Sequence, residues 1–204
     1  MDAGFKGRVT EAFDGLAARY DTDRGGFFGP VSDRLVRAAG LRPGQKVLDV
    51  GCGAGACLFA AARAVGPGGH VTGIDLAAGM LARAAATAAR LGLGQVRVEA
   101  GDAEDPAYQD GSFDAVSAME AMLWRAGYRA VSTVQRVAEV RYASPDAWWE
   151  ASWNQAPALF WEKIPEPELR TARARAVALL EPLRAPDGSL RRGLGFCYTR
   201  AAAA

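Results

Sequence analysis

One histidine, His70, and three cysteines, Cys52, Cys57 and Cys197, are the whole supply of imidazole and thiol metal ligands in 204 residues. No CxxC pair occurs, and a lone histidine cannot anchor a histidine metal site, so no metal centre is expected. An odd cysteine number speaks against a disulfide framework and fits reduced thiols in the cytosol. Neither sign of charge dominates, since 24 Lys and Arg stand against 23 Asp and Glu. That balance gives no support to a nucleic-acid or anionic-membrane binder. No apolar run approaches the roughly 18 residues of a membrane span. The opening "MDAGFKGRVTEAFDG" has no apolar core of signal-peptide length, and the closing "AAAA" is expected to fray. What is present is half hydrophobic and about a quarter charged, which suits one packed domain over 1–204.

Periodicity divides that domain into three parts. In the N-terminal segment, 1–40, Phe5, Val9, Phe13, Leu16 and Tyr20 recur at helical spacing, so 5–20 reads as an amphipathic helix. A second helix begins near Pro30, carries Val31, Leu35 and Val36 inward, and stops at Gly40. From 41 to 130, apolar runs and helical patterns alternate. "KVLDV", "HVTGID", "QVRVEA" and "FDAVSA" read as strands, with helices marked by Leu58, Ala61, Ala62 and Val65 and by Met80, Leu81, Ala84, Ala88 and Leu91. The alternation implies βαβ units and a doubly wound, mostly parallel α/β sheet. The third part, 131–204, reads as a C-terminal hairpin, "YRAVSTVQRVAEVRYA" pairing antiparallel with 190–200, and a helical insertion over 144–182. Ser144 is the expected N-cap of "SPDAWWEASW".

The segment richest in chemistry is "VLDVGCGAGA", where a buried strand runs through Gly51, Gly53 and Gly55 into a helix. Alternate glycines let the backbone turn sharply and approach a ligand. The helix start adds unpaired N–H groups and a positive dipole end. Asp75 ends the next strand, where a carboxylate can accept both hydroxyls of a ribose. An ordinary Gly-rich βα turn is the bland alternative, but it does not account for the acid at the second strand's tip. A dinucleotide site wants G-x-G-x-x-G, and the spacing here is G-x-G-x-G with Asp49 just upstream. A carboxylate there repels a pyrophosphate and holds an ammonium group. The pattern favours a ligand with an adenosine end and an amino-acid end, S-adenosylmethionine (SAM), over the nucleotide of an oxidoreductase.

"VLDVGCGAGA" resembles motif I of the class I SAM-dependent methyltransferases, Rossmann-like enzymes. "VTGIDLAAGMLARA" and "GDAEDPAYQDGSFDAV" resemble their following strand motifs. "FDGLAARYD" resembles the N-terminal segment of the small-molecule branch that includes the ubiquinone and menaquinone methyltransferases. The resemblance covers about residues 10–118. It implies SAM as cofactor and a small-molecule methyl acceptor as partner. By its implication Asp49, Gly51, Gly53 and Gly55 hold the methionine part, Asp75 takes the ribose, Leu76 and Met80 border the adenine, Asp102 and Ala103 meet its amino group, and Tyr20 closes over the methionine end. Each has a plainer alternative: Met80 and Tyr20 as core side chains, Asp102 as a turn residue.

Methyl transfer from a sulfonium is an in-line displacement that requires alignment and exclusion of water, with no triad and no metal. An acceptor of high pKa needs a general base, and Glu120, just past the fourth strand, is the candidate catalytic residue, with a solvated helix residue as its alternative. Trp148, Trp149, Trp153, Phe160 and Trp161 crowd one region, either as a pocket roof or as the core of a helical subdomain.

Between Met119 and Gly127 the family's "KPGG"-like turn and fifth strand are missing, so the fifth-strand region is expected to be shortened. A rival topology sets 131–142 in the fifth place, beside the fourth strand, through a minimal helix at 119–127. A shortened sheet leaves apolar surface that a homodimer would cover. Two readings follow: a small-molecule methyltransferase, and a non-catalytic SAM-binding or regulatory protein that has lost part of its acceptor half.

Overall fold

The computed structural model describes residues 3–20, 28–109, 111–117, 129–153 and 158–202. The chain folds as two compact units, one of residues 1–18, 28–134 and 197–204, the other of 19–27 and 135–196.

In the first unit the described elements begin with α1 (Ala3–Leu16) and α2 (Phe28–Ala39). There follow β1 (Lys46–Val50), α3 (Ala56–Val65), β2 (His70–Asp75), α4 (Ala78–Arg90), β3 (Val96–Ala100) and the short β4 (Ala115–Ser117). The sheet has the order β3-β2-β1-β4, and its pairings are parallel, with Leu48 of β1 between Thr72 of β2 and Val116 of β4. Val47, Leu48 and Asp49 of the central strand are all buried, as a parallel sheet covered on both faces requires. Leu58, Ala61, Ala62 and Val65 of α3 and Ala84 and Ala88 of α4 pack into one core with Val47 and Val71. The α3 helix lies so close to β2 that a Cβ on Gly73 would sit 2.9 Å from Cys52 Sγ and from Leu58 Cδ1. His70 is exposed at the start of β2, the end opposite the glycine loop.

Strand order reverses between β1 and β4. In an open α/β sheet that switch point opens a crevice at the carboxyl ends of the strands, where ligands bind.

Beyond the first unit's sheet, β5 (Arg129–Tyr142) and β6 (Leu190–Ala202) form a two-stranded antiparallel sheet of their own. The expectation of an antiparallel strand pair is met. The rival placement of 131–142 beside β4 is not, since the sheet order ends at β4. The connection 118–128, with the expected helix at 119–127, lies outside the described residues.

The second unit carries α5 (Pro145–Ser152), α6 (Ala158–Trp161) and α7 (Glu166–Leu180). Ser144 caps α5, its side chain accepting from the Ala147 amide at 3.1 Å. Trp149 is buried and packs on Trp161 at 5.0 Å between ring centroids and on Trp153 at 6.4 Å. The Trp161 indole N–H donates to Ser152 Oγ at 2.9 Å. The tryptophans form this unit's core, while Phe160 stands 68% exposed.

Candidate cofactor site

The glycine loop is stitched to the end of the neighbouring strand. Amides of Gly51 and Cys52 both donate to the Ile74 carbonyl, at 2.8 and 3.0 Å. Gly51, Gly53 and Gly55 all have positive φ, at 72°, 51° and 98°, a region that favours glycine. Space differs sharply along the loop. A Cβ on Gly51 or Gly53 would meet nothing within 4 Å, whereas one on Gly55 would strike the Phe59 ring at 2.5 Å. Gly55 therefore serves packing at the start of α3, and Gly51 and Gly53 border open space.

Asp75 organises the second wall. Its Oδ2 accepts the Gly53 amide at 2.9 Å and its Oδ1 the Ala77 amide at 2.9 Å. One carboxylate thus holds both the glycine loop and the turn into α4. Each oxygen keeps a further lone pair for a ligand hydroxyl.

Asp49 ends in the core, 3% exposed. Burial pushes its carboxyl up to about 6, opposed by the Ser117 hydroxyl and the Leu58 amide, and Asp75 nearby pushes in the same direction as burial. Among the described residues no donor reaches its Oδ2. An orphaned acceptor on a buried acid is a costly feature unless a donor arrives from outside the chain. Beside it the Cys57 thiol, 3.5 Å from Ser117 Oγ, is pushed up to about 12, first by burial and then by Asp49. That holds it as a neutral thiol rather than a nucleophile.

The third wall lies past β3. Asp102 Oδ2 pairs with Lys6 of α1 at 2.6 Å, and Asp102 Oδ1 accepts the Glu104 amide at 2.9 Å. Lys6 holds the Asp102 carboxyl below the usual range. Between the second and third walls Leu76 is 43% exposed and Met80 only 1%.

Residues 47–140 match a family model described as a methyltransferase domain. Over that segment the chain is similar to methyltransferase domains. The chain is 55% identical over 106 residues to nocamycin O-methyltransferase of Saccharothrix syringae, covering 52% of this chain and 38% of that one. It is 40% identical over 140 residues to aklanonic acid methyltransferase DauC of Streptomyces sp. (strain C5), covering 69% of this chain and 63% of the relative. The chain therefore spans less than two thirds of either relative. In fold it is similar to the solved structure of the YcgJ protein from Bacillus subtilis, with a TM-score of 0.52 at 16% identity, over 84% of this chain and 96% of that one.

The residues present fit SAM, the ligand expected from the sequence. The buried, orphaned Asp49 oxygen suits an ammonium, Asp75 has acceptor capacity to spare, and the space over Gly51 and Gly53 is open to a methionine chain. Among the described residues no cluster of His, Cys, Asp and Glu could hold a metal ion. No described helix is long and apolar enough to cross a membrane.

The structure gathers Asp49, Gly51, Gly53, Asp75, Leu76, Asp102 and Ala103 at the carboxyl ends of β1, β2 and β3. Met80 faces the core, in line with its place on the apolar stripe of α4 beside Ala84 and Ala88. Tyr20 is half-buried and falls in the second unit. Glu120 lies outside the described residues. Sequence reasoning missed Ser117 and Cys57 beside Asp49, and Lys6 on Asp102. Ser117 was within reach of it, because the last residue of a strand next to β1 falls at the same sheet edge as Asp49.

Proposed function

We propose that the chain binds SAM across the carboxyl ends of β1, β2 and β3 and transfers its methyl group to a small-molecule acceptor. The observation that carries this reading is Asp49: a buried carboxylate with an orphaned oxygen, beside a glycine loop whose open face a Cβ would fill. Bound there, SAM supplies a methyl group on a sulfonium, which an acceptor takes by a single in-line displacement. Asp49 holds the ammonium end, and Gly51 and Gly53 let the methionine chain lie against the backbone. Asp75 accepts the ribose hydroxyls while keeping its bonds to Gly53 and Ala77. Leu76 covers the adenine, and Asp102 with Ala103 meets its amino group. Glu120 serves as the base for the acceptor proton. An oxygen is the first acceptor atom to test, given the name of the O-methyltransferase relative. The free Cys52 and Cys57 fit a cytosolic protein. Leu179 and Leu183, 76% and 68% exposed, are apolar surface that a homodimer would cover, and light scattering that reads a monomer at every concentration removes that part of the reading.

Binding without turnover is the second reading. One observation favours it: among the described residues no strand pairs beyond the three-residue β4, the side from which an acceptor pocket would be built.

Calorimetric titration with SAM and with its demethylated product tests the first step, and transfer of a labelled methyl group to a panel of phenols and carboxylic acids tests the second. Binding with transfer supports the enzyme. Binding without transfer to any acceptor favours the second reading, and no binding by folded protein removes both.

A further inference from the structure

The N-terminal helix α1 touches two walls of the proposed cofactor site. Near its end, Asp14 Oδ1 accepts the Gly79 amide at 2.7 Å. That places a carboxylate at the start of α4, which has no capping side chain of its own. Arg83 of α4 returns a bond to the Ala17 carbonyl at 2.7 Å. Near its beginning, Lys6 reaches the loop after β3, with Nζ at 2.6 Å from both Asp102 Oδ2 and Glu104 Oε2. The ammonium is shared between two carboxylates two residues apart. It offsets their mutual repulsion, and all three side chains are about a quarter to a third exposed. Because the Glu104 amide holds Asp102 Oδ1, both oxygens of Asp102 are fixed. Each retains one lone pair.

We propose that Lys6 is a positioning residue for the adenine end of the cofactor: it holds Asp102 where that carboxylate accepts the exocyclic amino group, and it ties the wall after β3 to α1. This inference rests on the reading of Asp102 as the partner of the adenine amino group. Lys6 touches neither the cofactor nor the acceptor, so its effect is a preference for one base over another. A surface ion pair that only pinned α1 in place would affect every ligand alike.

The test is calorimetric titration of the wild type, Lys6→Met, Lys6→Arg and Asp14→Asn with S-adenosylhomocysteine and with S-inosylhomocysteine, whose ring carries an oxygen in place of the amino group. Wild type is expected to prefer the adenosyl compound. Lys6→Met is expected to lose about tenfold for it, the size of one charge-assisted hydrogen bond, with little change for the inosyl compound. Lys6→Arg restores most of the preference. Asp14→Asn, which loosens α1 without touching Asp102, leaves the preference intact. An equal loss for both ligands in Lys6→Met, or no loss, overturns the inference while the cofactor site stands. A folded wild type that binds neither ligand overturns the cofactor site and this inference with it.

Discussion

Asp75 and Gly53 are joined across 22 residues of chain by one hydrogen bond, amide to Oδ2 at 2.9 Å. The other oxygen of the same carboxylate takes the Ala77 amide. A group read from sequence as a ribose acceptor is therefore also the brace between the glycine loop and the turn into α4. Replacing it strips two amides of their acceptor. Asp75→Ala is expected to lower stability by about 2–3 kcal/mol, at roughly 1 kcal/mol or more per bond, and to abolish SAM binding. Asp75→Asn keeps one carbonyl oxygen and should lose less than half of that stability. Thermal unfolding and titration of both variants check this, and an alanine variant that melts with the wild type shows the brace to be idle.

Asp49 sets binding against stability. Its carboxyl stands at about 6 against an ordinary 3.8, chiefly through burial. The folded chain keeps this proton where the unfolded chain has released it. Stability from this group is thus present below about pH 4, declines between about 4 and 6, and is gone above. At neutral pH the buried charge costs on the order of 3 kcal/mol. Asp49→Asn is expected to make the ligand-free protein more stable than wild type at pH 7.5, by about 1–3 kcal/mol, and to bind SAM far more weakly. Urea unfolding of both proteins at pH 4.5 and 7.5 should show the gap opening as pH rises. A gap of constant size rejects the assignment.

The same group predicts how binding responds to acid. An ammonium pairs with ionised Asp49 and not with its protonated form. Affinity for S-adenosylhomocysteine should be flat between pH 7 and 8 and fall below about 6, approaching tenfold per unit. Binding at pH 5.5 should release a proton, read as a heat that varies with the buffer's ionisation enthalpy. Affinity unchanged from pH 5 to 8 would mean that Asp49 does not meet the ligand's charge.

The βαβ half was legible because its signals are local. Buried runs of four to six residues, glycines at alternate positions and an acid at a strand tip lie within short windows, and β1, β2 and β3 fall where those signals stand. What stayed hidden is non-local. Lys6 meets Asp102 across 96 residues and Asp14 meets Gly79 across 65. Periodicity says of each only that it lies on the polar side of a helix. Met80 satisfied two descriptions at once, apolar stripe and adenine border, and only packing puts it in the core. Strand pairing is non-local as well, so the pattern of 131–142 announced a strand paired with the last one but left open whether it also lay beside β4. The structure pairs it with β6.

Two glycines a single residue apart, Gly53 and Gly55, separate folding from binding in one loop. Gly55 has φ of 98°, and a Cβ there would lie 2.5 Å from the ring of Phe59, itself only 8% exposed. The ring cannot swing away without disturbing the core of α3. Gly55→Ala is expected to cost about 2–4 kcal/mol from combined backbone strain and overpacking. Gly53 has a φ of 51° and open space where a Cβ would go. Gly53→Ala should cost only about 1–2 kcal/mol, the left-handed penalty of one residue, and leave a folded protein. Its methyl group would fill the space assigned to the methionine chain, so affinity should fall by tenfold or more, about 1.4 kcal/mol. Melting curves and titrations of the two variants decide it. If Gly53→Ala binds SAM as the wild type does, the cofactor does not lie against this loop, because a ligand close enough to need glycine there cannot ignore the added carbon.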